Sequence, residues 1–412
     1  MQREGVLAEG LVVELRWMLW NMAWYVAGRS KGHARRARVA LLRVERHLHR
    51  AFRGDIRWRG VNLGGWFLLE PGPSGEFWEA LPPDARSSTC EWSCCEALGP
   101  EAPQLVAQHR RSYFKKRDFE EIQAAGLSHV RLPIGAWCVL GPRPGEPFVG
   151  PCLEDLDRAM DLIEAEGLRV VLDLRGGVGG QNAERQCGHE QLEWRPRMWD
   201  VEACLEALRV LCERYAGRAC VCGVGVLGEP SMDIPGAELS RYCEAAVEVV
   251  RRAGMRAGEV TVLLPVFPEL RAAEVLDLWD ASYPRYEDCT FDVHLYQWRG
   301  AYWETKSLAG HMQAAAHRAT LIGRMPTCCV SEWCLALPKL AMSSAGEDEA
   351  RDICADFARL QLEAFEVATH GWFFWTWKDS TGIQRSLRTC LAKGVLKIPS
   401  GSSRSLDTRH DV

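Results

Sequence analysis

Three things are scarce in this chain. It has no excess of positive charge beyond residue 53: residues 1–53 hold 11 Lys and Arg against 4 Asp and Glu, and the rest hold 39 against 51. An acidic body speaks against a nucleic-acid partner. The apolar, Trp-rich stretch Leu15 to Gly28 (LRWMLWNMAWYVAG) is shorter than the about 20 residues a spanning helix needs. Glu14 and Arg16 interrupt its start. A basic run, RSKGHARRARVALLRVERHLHR, follows it, the reverse of the order in a secretory signal. A helix lying on a membrane surface and a loosely ordered extension both suit that stretch. Zinc-ligand spacing is lacking as well. CEWSCC brings Cys90, Cys94 and Cys95 together, but no second Cys/His pair stands at the matching distance. The 17 cysteines are an odd number. Cys220, Cys222, Cys328 and Cys329 lie inside apolar runs and read as small core residues.

What is present is an alternation of short apolar runs and longer amphipathic stretches, with no short-period repeat. Eight runs read as strands: Arg57–Leu63, His129–Gly135, Arg169–Leu174, Cys220–Leu227, Val260–Val266, Phe291–Tyr296, Thr327–Trp333 and Trp372–Trp377. Most are dense in aliphatic or aromatic residues without strict alternation, as in strands covered on both faces. Between them LEDLDRAMDLIEAEGL places Leu153, Leu156, Met160 and Ile163 at helical spacing. VEACLEALRVLCERYAG, ELSRYCEAAVEVVRRAG and ARLQLEAFEVATHG repeat the form. Eight strands separated by helices predict an α/β fold, a (β/α)8 TIM barrel. The Pro/Gly-rich stretch from Pro71 to Pro103 is then an insertion after strand one. The expected organisation is an extension over 1–53, the barrel over 54–396 and a flexible tail over 397–412.

GVGVLGEPSM (223–232) fits G-x-G-x-x-G, yet its glycines lie within the apolar run, and Pro230 and Pro235 delay the next helix to near Ala237. A dinucleotide site needs the helix to open at the third glycine. Barrel chemistry instead sits at the C-terminal ends of strands. Those ends carry Asn62 and Glu70, Arg131, Arg175, Glu229, His294 and Tyr296, Glu332, and Trp375 and Trp377. Glu229 and Glu332, from strands four and seven, would face one another across the mouth. A pair of carboxylates flanking an acetal is what glycoside hydrolysis needs.

RGVNLGGWFLLEP (59–71), HVRLPIGAW (129–137), LDLRGGVGGQN (172–182), LGEP (227–230), HLYQ (294–297), VSEW (330–333) and GWFFWTWK (371–378) occur in that order. Together they resemble glycoside hydrolase family 5, and within it the exo-β-1,3-glucanase branch. The resemblance implies a retaining glycosidase acting on a β-glucan or oligosaccharide without metal or organic cofactor, in a secreted or membrane-associated setting. It assigns Glu229 as acid/base and Glu332 as nucleophile, with their carboxyls about 5–5.5 Å apart. Arg131 would hold Glu332 ionised, and Glu229 would carry a proton. His294 and Tyr296 would orient the carboxyls and the sugar, Trp375 would form the platform beneath it, and Glu70 would bind its hydroxyls.

Four positions depart from the family pattern. Gly228 stands where an Asn precedes the acid/base, and Arg175 stands where strand three has a His. Glu184 and Arg385 stand where aromatic residues clamp the sugar beyond the cleaved bond. The motif alone predicts that Gly228→Asn would restore a donor to the sugar 2-hydroxyl and raise the rate, unless Arg175 already fills that space or Gly228 has a positive φ. A glucan-binding barrel with impaired catalysis is the reading these departures favour; the Glu229–Glu332 pair opposes it.

Overall fold

In the computed structural model, residues 57–267, 271–272, 274–275, 288–342 and 346–399 are described. The expectations for residues 1–53 and for the tail from Ser400 lie outside them. Eight parallel strands close in sequence order into a barrel. They are β1 (Trp58–Asn62), β2 (His129–Gly135), β3 (Arg169–Gly176) and β4 (Val221–Gly225), then β5 (Thr261–Val266), β6 (Cys289–His294), β7 (Cys328–Glu332) and β8 (Gly371–Phe374). Helices Leu153–Ala165, Val201–Tyr215, Gly236–Arg252, Leu308–Arg324 and Glu347–Phe365 are among those that cover it. No described helix is long and apolar enough to cross a membrane.

Strand existence follows the sequence expectation, while some ends move for identifiable reasons. β8 stops at Phe374 rather than Trp377, because Trp375 gives its amide to the Trp333 carbonyl (2.7 Å) and Thr376 to that of Arg385 (2.7 Å). β6 begins at Cys289 and ends at His294, so Tyr296 sits in the loop above the barrel. At the chain's far end Ile398 packs against the core and the Pro399 carbonyl accepts from Arg59 (3.0 Å), so the segment after residue 396 is docked as far as Pro399.

The stretch after β1 is a small helical layer. It contains helices Gly75–Ala80, Pro83–Arg86 and Glu91–Leu98 and leads into Ala102–Ser112. Leu69, Trp78, Leu81, Cys94, Cys95, Leu98 and Val106 form its own apolar cluster. CEWSCC thus supplies core side chains: Cys94 and Cys95 fill this cluster. One buried carboxylate ties the layer to the barrel. Glu91 accepts from the Leu69 amide (2.8 Å) and the Trp137 indole (2.9 Å) and pairs with Arg110 (3.3 Å). A buried charge satisfied on several sides fixes its surroundings firmly. What it fixes is the segment that ends in Glu70.

Candidate active site

Along a strand, every second side chain points to the same face. In β3 the inward series is Val171, Asp173 and Arg175. Val171 belongs to an apolar plug inside the barrel with Trp58, Cys222, Leu263, Cys329 and Phe373. Above the plug the interior turns ionic. Arg131, fully buried, lies 2.9 Å from Asp173 and 3.5 Å from Asp292, and donates to Asn62 Oδ1 (3.0 Å). Ser331 bonds Asp292 in the same layer. At the C-terminal mouth the register shifts between Val293 and His294, pairing His294 with Glu332.

The glycines of the 223–228 stretch serve this interior. β4 runs beside β3, with Gly223 opposite Val171 and Gly225 opposite Asp173. A Cβ on Gly225 would lie 2.4 Å from Asp173 Oδ1, and one on Gly228 would lie 2.6 Å from Arg175 Cδ. Both glycines make room for charged neighbours on β3. Gly228 does not have a positive φ; Glu229 does, at 45°. The residues that hold this backbone come from the loop after β3. Gln181 donates to the Gly228 carbonyl (2.6 Å) and Asn182 to the Glu229 carbonyl (2.6 Å). Gln186 donates to Glu229 Oε2 (3.1 Å).

Glu229 and Glu332 meet at the centre of the mouth, 3% and 0% exposed. A carboxylate oxygen of each and an imidazole nitrogen of His294 all lie within 4.8 Å of one another. Two cations bridge the pair. Arg175 donates to Glu332 Oε1 (2.7 Å) and Oε2 (3.3 Å) and lies 3.3 Å from Glu229 Oε2. His294 Nδ1 is 2.8 Å from Glu229 Oε1 and 3.3 Å from Glu332 Oε2. Arg131 Nη1 donates to Glu332 Oε1 (2.7 Å) and the Tyr296 hydroxyl to Oε2 (2.9 Å). Trp375 lies below, with the Arg175 guanidinium 5.3 Å from the centroid of its ring. Trp377 is a core residue, its indole directed to Asp118 (3.4 Å). The two carboxylates and the imidazole converge closely enough to hold a cation, but Arg175 already delivers a fixed positive charge to both carboxylates.

These contacts set the protonation states. Burial alone would raise the Glu229 carboxyl; the charges of Arg175 and His294 outweigh it and hold Glu229 below the usual carboxylate range. His294 shows the reverse balance. Burial opposes its charge, but Glu332, Asp292 and Glu229 raise it to about 9, so it is an imidazolium at neutral pH. Glu70, partly buried at the rim, is pushed up to about 8 by burial, with Glu332 and Glu229 adding to the shift against the pull of Arg175. The motif-based expectation of a protonated Glu229 is therefore corrected for the resting site. His294 Nδ1, held above the usual imidazole range, faces it across a 2.8 Å contact.

Of the residues singled out from sequence, Glu229, Glu332, Arg131, Arg175, His294 and Tyr296 form one contact network, with Trp375 against Arg175 and Glu70 at the rim. Asp173, Asp292, Gln181, Asn182 and Gln186 were not singled out. For the two aspartates a signal existed: each is a charge flanked by apolar residues within a covered strand. The three amides belong to a loop whose path no local pattern specifies.

No protein-family model matches the chain. Among curated proteins it is 30% identical over 383 residues to the probable glucan 1,3-beta-glucosidase of Arthroderma benhamiae, covering 84% of this chain and 90% of that protein. It is 30% identical over 383 residues to probable glucan 1,3-beta-glucosidase A of Aspergillus clavatus, covering 83% and 87%. Among solved structures, rutinosidase from Aspergillus niger shares the fold with a TM-score of 0.66 at 16% identity, over 82% of this chain and 97% of that one. Thermotoga maritima Cel5A, solved with cellobiose, does so at 0.52 and 16% identity, over 81% and 94%. With the barrel closed, the motifs in order and these relatives spanning most of its length, the chain belongs to glycoside hydrolase family 5.

Proposed function

We propose that this protein is a retaining β-glycosidase that hydrolyses β-glucan, with β-1,3-glucan the favoured substrate. The observation that carries the reading is the close approach of Glu229 and Glu332 at the barrel mouth, within 4.8 Å at the contacting atoms. Retaining enzymes place their carboxyls about 5–5.5 Å apart and inverting ones about 6.5–9.5 Å. The names of the curated relatives support the linkage.

In this mechanism Glu332 attacks the anomeric carbon. Three donors hold its carboxylate, from Arg131, Arg175 and Tyr296, and the His294 imidazolium lies 3.3 Å away. Glu229 protonates the departing oxygen. The proton comes from His294, whose Nδ1 faces Glu229 Oε1, and Arg175, which does not give up a proton, only lends its field. Bond breaking to carbon and proton delivery to oxygen occur together, leaving a glycosyl ester on Glu332. Glu229, again a carboxylate, then takes a proton from the water that hydrolyses the ester and passes it back to His294, which frees Glu332 and restores the starting state. Trp375 offers an aromatic floor to the sugar, and Glu70, neutral below about pH 8, offers a donor to its hydroxyls.

A non-catalytic glucan-binding barrel is the second reading. The Arg175 side chain favours it, since it fills the space beside Gly228 and lies over Trp375.

Incubation with laminarin and laminari-oligosaccharides should release reducing sugar, and Glu332→Gln should reduce the rate at least about a thousandfold, roughly 4 kcal/mol in the barrier. Glucan binding without hydrolysis by the wild-type chain would decide for the second reading.

A pH prediction follows from His294. On a substrate with a poor leaving group, the rate should fall as pH rises through about 9, where the imidazolium loses its proton. In His294→Gln the falling limb should move to lower pH, because Glu229 must then hold the proton itself beside Arg175. An unchanged alkaline limb in that variant would remove His294 from proton delivery.

Gly228→Asn should lower the rate, contrary to the expectation from the motif alone. A Cβ at residue 228 forces Arg175 away from both carboxylates. We expect a loss of about tenfold or more. Adding Arg175→His should recover at least tenfold over the single variant, since the pair is co-adapted. A Gly228→Asn rate at or above wild type contradicts this.

A further inference from the structure

The mouth of the barrel carries a second cationic feature that the reaction above does not use. Three loops build it. The loop after β6 supplies Trp298 and Arg299, just beyond Tyr296, and the loop after β8 supplies Arg385. The loop after β3 supplies Glu184, two residues before the Gln186 that bonds Glu229. The guanidinium of Arg385 lies 4.3 Å from the centroid of the Trp298 ring and that of Arg299 lies 5.5 Å from it. The Tyr296 and Trp298 rings are 6.5 Å apart, so the patch adjoins the catalytic pair. The charge of Arg299 reaches Glu229 itself.

Two cations gathered over one indole repel each other, and the carboxylates near them, Glu184 and Asp379, compensate them only loosely. Arg299, 38% exposed, pairs only loosely with the more exposed Glu184, at 3.4 Å. An exposed pair of that kind contributes little. Arg385 donates to the Thr381 hydroxyl (3.2 Å), which bonds Asp379 in turn, and makes no direct ion pair among the described residues. In a chain whose body is acidic, two undercompensated guanidiniums beside the proton donor are a feature in want of an anion. The planar guanidinium fork matches a carboxylate.

We infer that the Trp298–Arg299–Arg385 patch is a subsite for a carboxylate-bearing leaving group, an acidic sugar or an aromatic acid glycoside. This rests on the glycosidase reading for one point: a leaving group departs on the side of the acid/base, which is where the patch lies. Arg299 and Arg385 bind the carboxylate of the leaving group, and Trp298 holds the two guanidiniums in place beside it. Glu184 is displaced from Arg299 as the ligand carboxylate takes its place. A neutral second sugar would bind there without meeting either charge.

The test compares phenyl β-D-glucoside with 4-carboxyphenyl β-D-glucoside. Binding is followed by tryptophan fluorescence at low ionic strength, and turnover is followed in parallel. The carboxylated glucoside should bind about tenfold tighter or better, and the same preference should appear in kcat/KM. The advantage should shrink in 0.5 M sodium chloride, as a charge contact exposed to solvent does. It should vanish in the double variant Arg299→Gln, Arg385→Gln. Equal affinity for the two glucosides, failure of both to bind, or a preference that survives loss of both arginines each overturns the proposal. Hydrolysis without the preference defeats this inference alone. A carboxylate preference without hydrolysis of either glucoside defeats the glycosidase reading and leaves the anion subsite standing.

Discussion

Everything at the mouth of this barrel answers to one constraint: two carboxylates that must stand close together in a buried place. Like charges about 4 Å apart repel by about 4 kcal/mol in partly screened surroundings, and burial adds to the cost of each. Arg175 resolves this by reaching both Glu229 and Glu332 with one guanidinium. His294 does the same with one imidazolium nitrogen. The site is thus an alternating array of charge in which Glu229 touches two cations and Glu332, with Arg131 added, touches three. Removing either bridge changes the proton affinity of what remains.

The layers beneath exist to hold that array. Arg131 joins the mouth to the interior, touching Glu332 above and Asp173 and Asp292 alongside. The two aspartates balance the Arg131 charge, and burial pushes Asp173 up to about 6. Space is made by glycine. Gly225 admits Asp173 and Gly228 admits Arg175, each at a distance no Cβ would permit. From the other side, the buried Glu91 steadies the segment leading to Glu70, so the rim is as firmly placed as the floor.

Much of this was legible in the sequence because it depends on periodicity and order. Eight apolar runs with helices between them imply the barrel, and the barrel implies which strand ends converge. That reasoning placed Glu229 and Glu332 together, with Arg131, His294 and Tyr296 near them. It also read Cys220–Leu227 as a strand rather than a phosphate loop; the strand is there but ends at Gly225. What it missed has a common cause. The protonation of Glu229 depends on whether a cation faces it, and Arg175 was read as a residue that could fill the space beside Gly228, not as one that bridges both carboxylates. Gly228 likewise looked like the loss of an asparagine. In three dimensions the two departures are a single exchange, a larger cation entering where a side chain has been removed. Gln181, Asn182 and Gln186 were invisible because they act through the course of a loop, which carries no period. The Pro71–Pro103 stretch looked like a bare insertion because its helices are short and its small core is closed by residues from both ends.

The account is most exposed at Glu332, to which it assigns the covalent bond. Incubating the protein with 2-deoxy-2-fluoro-β-D-glucosyl fluoride, followed by peptide mass spectrometry, reads that bond directly. The account predicts a stable fluoroglucosyl ester on Glu332 that forms as activity is lost and that a glucoside acceptor relieves. A label on any other residue, or a chain that hydrolyses glucan while never acquiring the label, would contradict it.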